Sequence, residues 1–303
     1  MGWRAVWRRV GIRPRAGKGR MFRKKKSLWL FLLPGLLGLM VFYVIPFLGG
    51  IYFSLTDGSI QNRFVGFANY ARIWRNEAFL LGLKNSLELS LISAPIIFVS
   101  SFILAVMLRS LKERSILFRN ILLMPYLVPS AALLTVWLLL FDYGGPVNRL
   151  LDLMGLGRVL WLESSALRAP IVLLYIWKNI GFSIVIFSAA LQAVPDAYYE
   201  YARLEGAGPI RQETRITLPL IMPTAFLVFV LAWINAFKIF KEVYFIAGAY
   251  PWDSIYTLQH FMNNKFANLD YQDVTTAAYS FAVIVFALFG LLYLAKGVRG
   301  DER

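Results

Sequence analysis

Lys178, Asn179 and Asn235 are polar residues set inside long apolar runs. Side chains so placed are costly unless they meet a partner, water or a passing solute. Lys238, Lys241 and Glu242 follow in the same run as Asn235. Lys238 and Glu242 have the spacing of a helical ion pair, and long lysine stems carry their heads to a membrane interface, which is the plainer reading of those charges. Tyr126, Trp137 and Trp233 add flat faces that suit sugar rings, although interfacial anchoring and packing are commoner uses of such residues. Asn179, Asn235, Lys238, Trp137, Tyr126 and Trp233 are therefore the candidates for lining a path. Catalysis has little to build on: cysteine is absent and His260 is the only histidine, which rules out thiolate chemistry and a multi-histidine metal site. Neither a phosphate-binding glycine loop nor a nucleophile elbow is present. No catalytic residue, no metal and no bound cofactor is expected in this chain.

The elements that must position these residues are membrane helices. The chain is 58% hydrophobic over 303 residues, above the usual share of a soluble domain. A membrane helix needs about 20 mainly apolar residues. Six stretches meet or approach this: 28–55, 87–108, 121–141, 169–194, 218–240 and 275–295. Pro34 and Pro46 predict a kink in the first, which is too long and too proline-broken for a cleaved signal peptide. The net charge of +15 is concentrated in the N-terminal tail between Arg4 and Lys26, with no basic face interleaved with stacking aromatics, so nucleic acid is not an expected partner. That tail reads as a topology signal that also attracts anionic lipid. Arg109, Lys112, Arg114 and Arg119, then Arg203, Arg211 and Arg215, share its side, which puts both termini in the cytoplasm. The expected organisation is a basic tail over 1–27, one six-helix membrane domain over 28–296 and a short tail over 297–303. The segments 56–86 and 142–168 are structured connections on the other side, with a turn at Gly144-Gly145-Pro146.

The connection at 196–217 is too long and too charged for a simple turn. Pro195 closes the fourth span, Asp196 is placed to cap a new helix, and Glu200 complements that helix's N-terminal dipole. Gly206-Ala207-Gly208 breaks it near Glu205, and Pro209 suits the first turn of a second helix capped by Gly208. Leu218-Pro219 then opens the fifth span. Two short helices at a glycine elbow make a knob suited to a partner's groove.

Glu200, Ala202, Gly206, Ile216, Leu218 and Pro219 have the spacing of the EAA loop of ATP-binding-cassette (ABC) importer permeases, which this chain resembles over nearly its whole length. Phe64–Tyr70, Phe118–Asn148, Ile176–Pro195 and Phe237–Gly248 resemble the maltose-permease-like, carbohydrate-uptake branch. The resemblance implies an all-α integral membrane protein of the type I importer permease fold. It also implies an ATPase-coupling loop formed by Glu200, Tyr201, Ala202, Glu205, Gly206, Ala207, Ile216, Leu218 and Pro219. Tyr201 replaces the motif's first alanine, Glu205 its usual aspartate, and Glu213 a usual apolar aromatic, which bears on how apolar the second docking helix is. The implied partners are a second homologous permease, two ATP-binding subunits that hold ATP and Mg, an extracytoplasmic binding protein, a sugar or sugar derivative, and the bilayer of a bacterial or archaeal cell membrane. The rival reading is a secondary transporter driven by an ion gradient, which calls for buried carboxylates; Glu88 and Glu242, near span ends, are the only ones offered.

Overall fold

The computed structural model describes residues 31–111 and 114–298. The expected tail over 1–27 and residues 299–303 lie outside them. Among the described residues the only β pairing is an isolated bridge between Thr56 and Phe64. Six helical segments are long and apolar enough to cross a membrane.

The first, α1 (Phe31–Ser54), stays helical through Pro34 and Pro46 and carries a π turn over Met40–Val44. The extra residue in that turn absorbs the missing N–H and the steric demand of Pro46, so the expected kink is a local widening. Its window is unburied apart from the contact with the last span, and Phe31, Phe42 and Tyr43 are among its exposed rings. A helix apolar all round and touched within this chain mainly by the last span, as where Phe47 meets Tyr279, suits a membrane setting.

After a short α2 (Ala68–Ile73), the second span is α3, Glu77–Arg109. It starts ten residues before the expected 87, because Asn76 accepts a hydrogen bond from the Phe79 amide at 3.1 Å and caps the helix early. Ser86, Ser90, Ser93, Ser101 and Ala105 form a buried stripe of small side chains along it, which lets neighbouring helices come close.

The expected third span over 121–141 is not one helix: its residues divide between α4 (Ser115–Leu127), too short to cross alone, and α5 (Ser130–Phe141), which opens the third span-length segment, Ser130–Leu153. Pro129 forces Val128 out of helical geometry, to ψ 137°, and the chain restarts at Ser130. Gly145 then begins α6 (Pro146–Leu153) at the expected turn. The fourth span is α7, Arg168–Gln192. Gly181 lies so close to α4 that a Cβ there would sit 2.0 Å from the Leu122 carbonyl oxygen, so only glycine permits this crossing.

The connection between the fourth and fifth spans comprises α8 (Ala197–Leu204), α9 (Pro209–Gln212), a π turn over Glu213–Thr217 and the single turn α10 (Leu218–Leu220). The fifth span therefore begins at Met222, not at Leu218. Ile221 leaves helical geometry at φ −94°, ψ 9°, and Pro223, which lacks an N–H, starts the new helix α11 (Met222–Ala236). A 3₁₀ turn over Phe237–Ile239 joins α11 to α12 (Phe240–Ala247). Beyond it lie α13 (Leu258–Ala267) and the last span α14 (Tyr271–Val298).

One apolar core, with Leu89, Ile97, Ile171, Trp233 and Val243, ties α3, α7, α11 and α12 together. A second, with Leu108, Phe187, Tyr199, Ile221 and Val228, ties the connection between the fourth and fifth spans to the ends of α3, α7 and α11. The loop is thus packed onto the bundle and does not hang from it.

Candidate functional site

The helical connection over 196–221 is built by local rules. The first helix ends in a Schellman motif: the Ala207 amide bonds the Ala202 carbonyl at 2.8 Å and the Gly206 amide bonds the Arg203 carbonyl at 3.0 Å. Gly206 supplies the left-handed turn, φ 74°. Gln212 Nε2 reaches back to the Ala207 carbonyl at 2.6 Å and fixes the second helix against the first. Asp196 stands just before α8 but makes no capping bond with its side chain, since its own backbone is already helical (φ −61°, ψ −25°).

The two faces of this knob differ. Ala202 is buried, while Ala207, Ile216, Leu218 and Pro219 are half-buried against the bundle. Glu200, Tyr201, Glu205 and Gly206 face outward, beside Leu204 and Ile210, which are 84% and 81% exposed. An outward row of Tyr201, Leu204 and Ile210 is an apolar ridge flanked by charge.

A polar clamp holds the inner face. Arg109, the last residue of α3, donates from Nη1 to Tyr199 Oη at 2.7 Å and from Nη2 to Glu213 Oε1 at 2.5 Å. Tyr199 Oη is also within 2.8 Å of Thr217 Oγ1. Glu213, out of pattern in the sequence, is turned inward, with a side chain only 16% exposed. Sequence reasoning missed Arg109, Tyr199 and Thr217. Arg109 and Glu213 are 104 residues apart, and no local pattern pairs them.

The second cluster lies within the spans. Lys178 of α7 pairs with Glu242 of α12 at 2.8 Å, their side chains 15% and 7% exposed. Ser130, the first residue of α5, donates to Glu242 Oε1 at 3.3 Å and accepts from Lys178 Nζ. The expected pair between Lys238 and Glu242 is therefore not formed, and Lys178 does not extend to an interface. Instead Lys238 donates to Asn235 Oδ1 at 2.9 Å, on an exposed face. Asn179 Nδ2 donates to the Tyr175 carbonyl at 2.8 Å. Tyr126 is partly exposed and stacks on Phe182 with centroids 5.1 Å apart. Trp137 and Trp233 are core residues: their indole N–H groups donate to the Pro170 carbonyl (3.0 Å) and to Ser90 Oγ (2.9 Å), and their rings are 9% and 4% exposed. Trp137 also stacks on Trp177, and Trp233 forms part of the wall of an apolar cleft with Pro95 and Phe229. Asn179, Asn235, Lys238 and Tyr126 remain accessible, in separate contacts.

A transmembrane bundle with a clamped helical knob between its fourth and fifth spans agrees with one family. The family described as "Binding-protein-dependent transport system inner membrane component" matches residues 97–296. This chain belongs to that family.

It is similar to the probable ABC transporter permease protein YurN of Bacillus subtilis, 28% identical over 90% of this chain and 97% of the relative. It is also similar to the trehalose/maltose transport system permease protein MalF of Thermococcus litoralis, 29% identical over 91% of this chain and 95% of the relative. The sn-glycerol-3-phosphate transport system permease protein UgpA of Yersinia pestis is 29% identical over 87% of this chain and 90% of its own length. The fold matches a chain from a bacterial ABC transporter involved in the import of the acidic polysaccharide alginate, with a TM-score of 0.77 over 91% of this chain and 99% of that one, at 24% identity. The protein is thus a multi-pass membrane permease subunit of the binding-protein-dependent class.

His260, the one residue an enzyme reading would need, has a structural task in this permease. It is buried in α13, where its Nδ1 lies 2.8 Å from Thr257 Oγ1 and accepts from the Thr257 amide in a capping box. Phe240, Tyr244 and Tyr256 surround the ring. Burial pushes the imidazole down to about 4, so the ring is neutral at physiological pH.

Proposed function

We propose that this chain is one of two permease subunits of an ATP-driven importer of a sugar or sugar derivative, with its termini and coupling segment in the cytoplasm. The observation that carries the proposal is the two-faced knob. Tyr201, Leu204 and Ile210 point away from the bundle, while Arg109, Tyr199, Glu213 and Thr217 lock the other face to α3. A ridge of this kind fits a groove on an ATP-binding subunit, two copies of which would hold ATP and Mg, and the locked inner face passes movement of that groove into the spans. Closure of the ATPases would draw the knobs of the two permeases together and shift the bundle from inward-facing to outward-facing, a two-state change biased by ligand. The breaks at Val128–Pro129, Ile221 and Phe237–Ile239 are places where helices can change their relative angle.

The relatives named for trehalose/maltose and for glycerol-3-phosphate transport support a sugar or sugar derivative as cargo. A solved relative in complex with an alginate pentasaccharide-bound periplasmic protein supports an extracytoplasmic binding protein as the donor of that cargo. Asn179, Asn235, Lys238 and Tyr126, which keep some exposure in this chain, are the candidates for lining its path.

Uptake by the reconstituted assembly tests the reading. Uptake is expected to stop when the ATPase is inactivated and to continue in the presence of a protonophore; the reverse would establish an ion-driven carrier. Cysteine at Tyr201 or Leu204 is expected to crosslink to cysteine in the ATPase groove, whereas cysteine at Tyr250, exposed near the other end of the bundle, is not.

A further inference from the structure

A cleft of about 410 Å³ opens between the end of α3, the start of α4 and the end of α7, next to the coupling segment. Arg109 and Arg119 stand on its wall with Ser115 and Ser188, above an apolar floor that includes Leu108 and Leu191. Three features give this cleft the chemistry of a ligand site. Ser188 lines the cleft yet is only 6% exposed, and its buried hydroxyl has no hydrogen-bond partner. A buried hydroxyl without a partner is uncommon and costs stability, which a ligand oxygen would restore. The charge on the wall is also unbalanced. Arg109 is matched by Glu213, but Arg119 binds only Ser115, through its carbonyl at 3.2 Å and its Oγ at 3.1 Å, with no carboxylate beside it among the described residues. Finally, the donors are suited to an anion. A guanidinium has five N–H groups, and the bonds described leave several on each arginine free for phosphate oxygens.

We propose that this cleft binds an anionic phosphate group, presented by the head of an acidic phospholipid. Its position favours the lipid as the source. Arg109 ends a span, so the guanidinium pair lies at headgroup depth, and the exposed Met107 and Ile116 continue the apolar floor outward. Occupancy has a consequence for coupling, because Arg109 is also the residue that clamps Glu213 and Tyr199. A phosphate on its free N–H groups holds the guanidinium in place and stiffens the joint between α3 and the knob.

The test uses the assembled transporter in nanodiscs of phosphatidylcholine with phosphatidylglycerol, in which a photoactivatable phosphatidylglycerol is the probe and labelled peptides are read by mass spectrometry. Peptides carrying Arg119 or Ser188 are expected to label more strongly than with the matching phosphatidylcholine probe. Arg119→Gln is expected to lower that labelling about tenfold, the scale of one lost charged hydrogen bond. Ser188→Val, which removes the hydroxyl and leaves the charge, is the second variant and is expected to reduce labelling several-fold; Arg149→Gln, on α6, is expected to leave it unchanged. Competition by inorganic phosphate would support the site and assign it to the free ion; persistence of labelling in excess phosphate supports the lipid. Equal labelling by both probes, or labelling of both Arg119→Gln and Ser188→Val at the level of the unaltered protein, would overturn the proposal. This binding readout does not depend on the importer assignment, whereas a change in coupled ATP hydrolysis with lipid composition rests on it.

Discussion

Replacing Lys178 by Met is predicted to destabilise the bundle severely, and replacing Lys178 and Glu242 together is predicted to restore most of what is lost. The two charges are 2.8 Å apart with side chains 15% and 7% exposed. At an effective dielectric of about 20 their attraction is about 6 kcal/mol. Desolvating each ion costs several kcal/mol, so the pair as a whole is close to neutral. Removing one partner changes the sign of the account. Glu242 left alone keeps only the Ser130 hydroxyl at 3.3 Å, and an uncompensated buried charge costs about 3–5 kcal/mol. Lys178→Met/Glu242→Leu removes both penalties and fills the space with apolar atoms, so its net effect is expected within about 1–2 kcal/mol of the unaltered protein, including the orphaned Ser130 hydroxyl. The single changes should therefore sum to several times the double. Denaturant-induced unfolding of the purified subunit in detergent, followed by helix content, gives the four free energies of the cycle. Additive single and double effects would refute the claim that these residues form one buried unit, and with it the view that α5, α7 and α12 are held together there.

Gly206→Val is predicted to insert and fold but to uncouple ATP hydrolysis from uptake. A Cβ at Gly206 would meet nothing within 4 Å, so the cost is backbone strain at φ 74°, about 1–2 kcal/mol for a side chain in that region and least for Asn. Normal transport by Gly206→Val, or equal damage by Gly206→Asn, would remove this account of the elbow. Gly181→Ala is predicted to lower the midpoint of thermal unfolding of the purified subunit, because its Cβ cannot coexist with the Leu122 carbonyl and overpacking typically costs about 1–3 kcal/mol; unchanged stability would mean that α4 does not cross α7 there. His260 predicts a dependence on pH. The unfolded chain takes up a proton near 6.5, while the folded imidazole resists protonation until about 4. Its contribution is full above the unfolded value and is lost as pH falls through that window. His260→Leu is expected to flatten this part of the stability profile measured by thermal unfolding, and an unchanged slope in the variant would assign it to other groups.

The two short helices and glycine elbow of the 196–217 connection were legible in the sequence because their determinants are local. Glycine at a left-handed position and proline at a first helical turn act over one or two turns of chain, and the six-residue spacing pattern lies within the single stretch from Glu200 to Pro219. The breaks were less legible, although Pro129 and Pro223 were in plain sight, because an apolar run long enough to span hides a change in backbone direction inside it. Local reasoning misassigned Glu242 for a related reason. Lys238, four residues before it, is the cation one helical turn back along the chain, whereas Lys178, 64 residues away, is the one that the packing of α7 against α12 brings to it. A ring at mid-span likewise looks alike in sequence whether it faces a path or a core; in this chain Trp137 and Trp233 are 9% and 4% exposed. Glu213 shows what tertiary structure adds at a functional site. In sequence it counts against an apolar second docking helix, but its charge is taken up by Arg109 within the chain. The outward face keeps Ile210, and Tyr201, standing where the motif has alanine, enlarges it with a ring 72% exposed. Of the departures from the motif, Glu213 and Tyr201 therefore lie on opposite faces: the first strengthens the hold of the knob on its own bundle, and the second enlarges its exposed apolar ridge.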